Sequence, residues 1–125
     1  MQFLTIEHIL QLHALVLLHD GGADGVRDIG RLEAAVATQH QEVFGKELYP
    51  SVHTKAAAMI RGIIEDHLFV DGNKRTALLA GLTLLEINAL KVTVASGEVE
   101  DFAVLVAVER LGVDEIAAWL ERFAK

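Results

Sequence analysis

Nine consecutive residues, His67-Leu68-Phe69-Val70-Asp71-Gly72-Asn73-Lys74-Arg75, gather a base, a carboxylate, a bare backbone turn and two cations. No other stretch of the chain is so dense in reactive groups. His67 is the one group here that can take a proton near neutral pH, so it is the candidate general base. Asp71 supplies a hard oxygen of the kind a magnesium ion shared with nucleotide phosphates would need. Gly72 has no Cβ to obstruct a ligand approaching the backbone. Arg75 offers a planar fork for two phosphate oxygens, and Lys74 a compact point charge.

Two helices must hold these groups in place. Ser51 to Asp66 before the nonapeptide and Thr76 to Asn88 after it carry apolar residues at helical period, so the nonapeptide is a loop feeding a helix amino terminus. Such an end presents unpaired N–H groups and a partial positive charge, a ready anion site. Asn73, Lys74 and Arg75 fall in the first turn, where the helix dipole disfavours cations. Two cations set against that preference imply an anion between them. Ordinary structural roles compete with these assignments. Asp71 is also a helix-capping residue type, and Asn73 either caps the helix or fixes the turn. Lys74 and Arg75 are also able to pair with Glu65, Asp66 or Asp71 on the surface. Phe69 reads as a core anchor for the loop in every case.

The nonapeptide closely resembles the signature of the Fic/Doc family, HxFx(D/E)(G/A)N(G/K)R, which it matches as HLFVDGNKR at every specified position. Asp28-Ile29-Gly30-Arg31-Leu32-Glu33-Ala34-Ala35 is similar to the family's RDxGxLEAA segment. Leu48-Tyr49-Pro50-Ser51 with Lys55-Ala56-Ala57-Ala58 is similar to the lead-in to its motif helix. The likeness covers essentially the whole chain. Its short length, and Lys74 where adenylyl-transferring members have glycine, bring it nearest the death-on-curing (Doc) toxin branch.

That resemblance implies an all-α fold, a Fic-like compact bundle of about six helices in a single domain, residues 1–125, with the motif loop between two central helices. It also implies transfer of a phosphorus group from ATP to a protein hydroxyl. His67 would take the proton from a Ser, Thr or Tyr of the target, Asp71 would hold Mg²⁺ on the phosphates, and Gly72, Asn73, Lys74 and Arg75 would bind the phosphates. Typical Fic enzymes bring the α-phosphate to the histidine and transfer AMP, a glycine at position 74 leaving room for the β-phosphate. Lys74 fills that space. In the Doc branch ATP is understood to lie reversed, so that the γ-phosphate reaches the histidine and the enzyme acts as a kinase of elongation factor Tu, inhibiting translation. The Doc-like kinase toxin is the reading adopted, with AMP transfer as its alternative and a catalytically silent Fic-fold binding module behind both. A metal-dependent hydrolase would have too few ligands. A P-loop is excluded, because Gly45-Lys46 is followed by Glu47 and lacks the upstream glycine.

Self-inhibited Fic proteins carry a helix written (S/T)xxxE(G/N). Thr38 to Glu42 and Ser96 to Glu100 fit its first five positions, but Val43 and Asp101 follow, so neither fits fully. For a toxin of this branch, the resemblance then implies inhibition by a separate antitoxin whose disordered tail folds into a groove near the site. The sequence itself shows a surplus of apolar helix surface from which a groove could form.

Composition agrees with these expectations. At 125 residues and 52% hydrophobic, the chain suits one core and no disorder. No run approaches the roughly 20 apolar residues that span a bilayer, and the amino terminus has no leader pattern, so the expected location is cytoplasmic. Cysteine is absent, which excludes disulfides and a thiol nucleophile. A net charge of −7 opposes direct nucleic acid binding and leaves a phosphate site dependent on local cations.

Along the chain, Thr5 is placed to cap a helix to about His19, ended by Gly21-Gly22, and Asp24 to Arg27 read as a turn. Asp28 caps a second helix to about Thr38. Gln39 to Pro50 reads as a loop whose Phe44, Leu48 and Tyr49 either pin it to the core or, as the resemblance implies, form a flap that aligns a target segment. Ser51 caps the motif helix, in which Ala56-Ala57-Ala58 and Gly62 allow close approach of neighbours. The next helix is apolar nearly all round and ends at Asn88 as a left-handed terminator. Leu90 to Ala95 is a short extended piece. Ser96 caps a helix to about Leu111 that Gly112 ends, and Asp114 caps a last one to about Phe123. His8, His13, His19, His40 and His53 lack metal-ligand spacing and read as packed or surface residues.

Overall fold

The computed structural model describes residues 1–125 as six helices and one small hairpin. In order these are α1 (Ile6–Asp20), α2 (Ile29–Ala37), a 3₁₀ turn (Thr38–His40), β1 (Glu42–Val43), β2 (Lys46–Glu47), α3 (Val52–Glu65), α4 (Asn73–Ile87), α5 (Ser96–Glu109) and α6 (Val113–Phe123). The all-α bundle implied by the motif is the observed architecture, with the motif loop joining α3 to α4.

The first three helices start where polar caps stand. Thr5 Oγ1 accepts the His8 N–H at 3.2 Å while His8 Nδ1 accepts the Thr5 N–H at 3.0 Å. Asp28 accepts the Arg31 N–H at 3.0 Å, and Ser51 and Thr54 exchange a similar pair of bonds at 3.1 and 3.2 Å. Each cap stabilises its helix by about 1 kcal/mol.

α3 is the central element and packs on α2, α4 and α6. Ala56, Met59, Ile60, Ile63 and Ile64 face inward, as their spacing predicts. Gly62 admits α2 closely, since a Cβ there would lie 3.3 Å from Ala35 Cβ. The tighter contact is with α4: a Cβ on Gly81 would fall 2.4 Å from Ile60 Cδ1. Gly81 therefore sets the α3–α4 spacing and with it the geometry of the loop between them. Gly81→Ala gains helix propensity of about 1 kcal/mol but overpacks a fully buried site by about 1–3 kcal/mol, so a net loss of stability is expected. In denaturant titrations Gly81→Ala with Ile60→Ala should lose less than the sum of the two single changes; additive losses would contradict the clash.

Several boundaries differ from expectation. Asn88 is not left-handed (φ −102°); Ala89 is (φ 68°). The Asn88 side chain instead bonds Leu84 O and both backbone groups of Gln2, three partners that a left-handed terminator would forgo. Ser96 is the first residue of α5 rather than its cap, because the capping position falls to Ala95, which has no side chain able to cap. α5 ends in left-handed Arg110 (φ 48°), so Gly112 is free to begin α6, its N–H held by Glu115 Oε1 at 3.2 Å. Asp114 accordingly lies within the first turn of α6 and does not cap it. The extended piece at Leu90–Ala95 is real and pairs with the chain's end: Lys91 and Lys125 exchange backbone bonds, and the Thr93 N–H reaches Phe123 O at 2.7 Å.

Residues 39–50 form the 3₁₀ turn and a hairpin, not an irregular loop. Phe44 sits at the tip with φ 51° and is fully exposed, and Leu48 is exposed as well. Only Tyr49 is half-buried, so Phe44 and Leu48 do not pin this segment to the core. The anchor is Lys55, 1% exposed, whose Nζ donates to Gln39 O and to Glu47 Oε1, both at 2.8 Å.

Candidate active site

His67 owes its place to the end of α3. Its N–H reaches back to Ile64 O at 3.4 Å and its backbone turns left-handed (φ 46°), a region histidine tolerates better than most residues. The chain is thereby thrown off the helix axis, leaving His67 exposed while Leu68 and Phe69 turn into the core, both fully buried.

Asn73 settles its own two readings. Its Oδ1 accepts the Phe69 N–H and its Nδ2 donates to Phe69 O, each at 2.8 Å, so it fixes the turn and does not cap the helix. The capping position belongs to Gly72, at φ 81°, and no side chain caps α4. The left-handed angle alone favours glycine, and a Cβ there would press within 3.3 Å of Val16. Glycine is thus needed for the turn and for packing on α1, beyond any approach of a ligand.

The segment between α1 and α2 is a strap across this loop rather than a free turn. Arg27 donates its N–H to Leu68 O at 2.7 Å, Val70 donates to Gly25 O at 3.0 Å, and Val26 bridges Phe69. Ala23 N–H meets Asp71 Oδ2 at 2.7 Å. Asp71 therefore holds the strap and is not the cap of α4. Its Oδ1 has no donor within the protein. One open carboxylate oxygen would suffice for Mg²⁺, which keeps most of its ligands as water and substrate phosphate.

Arg75 is clamped between two acids from other helices: Nε meets Asp20 Oδ2 at 2.8 Å, and NH2 bonds Glu100 of α5. The surface partners considered for it are occupied elsewhere, Glu65 by Arg61 and Asp66 by Arg31. Lys74, exposed, stands in none of the ion pairs.

Gly72, Asn73, Lys74 and Arg75 line one wall of a cleft of about 490 Å³, with Ser96, Val99, Glu100, Ala103 and Val104 of α5 opposite. His67 does not line it. It opens on a second cleft, of about 360 Å³, with Arg61, Asp66 and Arg110. α5 contributes to both clefts, through Val99, Glu100, Ala103 and Val104 to the first and Val106 and Ala107 to the second. Sequence reasoning missed Asp20, Ala23 and Glu100. Asp20 lies just past the point, about His19, where the first helix is expected to end, and Glu100 carries no signal beyond the incomplete Ser96–Glu100 pattern. No helix is long and apolar enough to cross a membrane.

Comparison with known proteins gives a consistent picture. The model of the Fic/DOC family matches residues 3–85. "Toxin Doc" of Mycolicibacterium smegmatis is 39% identical over 126 residues, covering 98% of this chain and 94% of that protein. "Protein kinase doc" of Escherichia phage P1 is 30% identical over 122 residues, covering 98% of this chain and 95% of that protein.

Proposed function

Since the chain belongs to the Fic/DOC family, we propose that it is a Doc-like toxin that moves the γ-phosphoryl group of ATP onto a hydroxyl of elongation factor Tu. The observation that carries this reading is Lys74: an unpaired, exposed cation in the first turn of an uncapped helix, lining the cleft. The names of the relatives, a toxin and a protein kinase, support it.

In the proposed reaction the target oxygen attacks the γ-phosphorus, its bond to the β-bridging oxygen breaks, and ADP leaves. His67 takes the hydroxyl proton. The first-turn N–H groups of α4, Lys74 and Arg75 stabilise charge on the transferred group, and positioning with electrostatics lowers most of the barrier. Asp71 would hold Mg²⁺ through Oδ1, and the ion would neutralise phosphate charge. The exposed hairpin, with Phe44 at its tip, would align a target segment by strand-like pairing.

An antitoxin is the expected partner, as the toxin relative's name suggests. An apolar groove formed by Leu15, Val16, Leu79, Leu82 and Val99 includes Arg75 in its lining. A folding tail laid there would sit against the phosphate fork.

The test is incubation with elongation factor Tu and ATP labelled at either the α- or the γ-phosphorus. γ-Label on the target is the expected result. α-Label would make the chain an AMP transferase, and no label would favour a silent binding module. Lys74→Gly should move product towards α-label, and an unchanged product would refute the orientation argument. Glu100→Gln removes a negative charge from the cleft; given the modest worth of exposed ion pairs, Mg–ATP should bind about two- to fivefold more tightly by calorimetry. Weaker binding would show that Glu100 instead holds Arg75 in its useful pose.

A further inference from the structure

His13, on α1, reads from sequence as a packed or surface histidine without chemistry. It is packed, at 3% exposure, but onto the motif loop itself. Its ring lies parallel to Phe69, with centroids 3.8 Å apart and planes 10° from coplanar. Its Nε2 is 2.8 Å from the carbonyl oxygen of Asp71. A carbonyl only accepts, so Nε2 carries the hydrogen.

We propose that His13 is a positioning residue that locks the Asp71–Gly72 peptide, and through it the orientation of the Asp71 carboxylate and of the N–H groups that begin α4. The C=O and N–H of a trans peptide point in opposite directions. Holding Asp71 O against α1 therefore aims the Gly72 N–H away from α1. This peptide needs a lock, because Gly72 at φ 81° is the least restricted residue of the loop and a peptide beside a glycine turns over readily. The stack on Phe69 fixes the imidazole plane, so the donor is aimed before any ligand arrives. Asn73 and Ala23 fix the Phe69 backbone and the Asp71 carboxylate, but neither touches this peptide's carbonyl. The importance of His13 to the reaction rests on reading the loop as a phosphate site; its lock on the peptide does not.

His13→Phe keeps a flat ring against Phe69 and removes the donor, whereas His13→Gln restores an amide donor and gives up the ring. In amide NMR of the free protein, His13→Phe should broaden or shift the Gly72 and Asn73 resonances through exchange, with His13→Gln restoring them. Wild-type positions in His13→Phe, or failure of His13→Gln to restore them, would overturn the proposal. Should His13→Phe not fold, imidazole ¹⁵N shifts of the wild type still decide: a ring protonated at Nε2 supports the lock, and one protonated only at Nδ1 overturns it. Binding of Mg–ATP to His13→Phe should weaken by about 10–100-fold, as for other residues that orient a metal-binding carboxylate. A wild type that binds no Mg–ATP would refute the phosphate-site reading and leave the amide result to judge His13.

Discussion

Phosphoryl transfer should fall by about 10²–10⁴-fold when His67 is replaced by asparagine, the range a positioned general base contributes. Asparagine is the informative replacement because the native backbone is left-handed at φ 46°, where asparagine and histidine are both tolerated and alanine is strained. His67 is exposed, so the change opens no cavity in the core. Thermal unfolding and Mg–ATP binding should stay at wild-type values while γ-label transfer falls by that factor. Undiminished transfer in a folded His67→Asn protein would remove histidine from the base role.

Phe69→Ala should cost about 3–5 kcal/mol, the usual loss for truncating a buried aromatic ring. Phe69 is fully buried, it stacks on His13, and its backbone is bound by Asn73 and bridged by Val26. Removing its ring leaves a void where α1, the strap and the loop meet. Against a typical stability of about 5–15 kcal/mol this is a large share, and the melting temperature should fall by on the order of 10 °C or more. Phe69→Leu should lose much less. A Phe69→Ala protein melting within about 2 °C of wild type would show that the loop is anchored elsewhere.

The helices were legible because their signals are local. Thr5, Asp28 and Ser51 stand directly before amphipathic runs, and each accepts a backbone N–H of the first turn. The inward stripe of α3 follows from the spacing of Met59, Ile60, Ile63 and Ile64. What could not be read depends on residues distant in the chain. Gly81 matters because Ile60 lies across from it, and Lys55 is buried because Gln39 and Glu47 meet its ammonium group. The same holds at the site. Asp71 looked like a cap or a metal ligand, and a partner 48 positions away, the Ala23 N–H, had no sequence signal. Arg75 reads as a phosphate fork or as a partner of Glu65, Asp66 or Asp71, yet Asp20 and Glu100 reach it from two other helices. Glu100 is the residue whose surroundings change the chemical picture most, since under the proposed function a phosphate would share the guanidinium with its carboxylate or displace it.

The central claim is that the turn between α3 and α4 gathers nucleotide phosphates and presents one of them to His67. A crystal structure of the protein with Mg²⁺ and a non-hydrolysable ATP analogue tests it most directly. The account predicts phosphate oxygens on the Gly72–Arg75 backbone and on Lys74, with the γ-phosphorus next to the imidazole of His67. An analogue bound with its α-phosphorus next to His67, or lodged away from this turn, would contradict it.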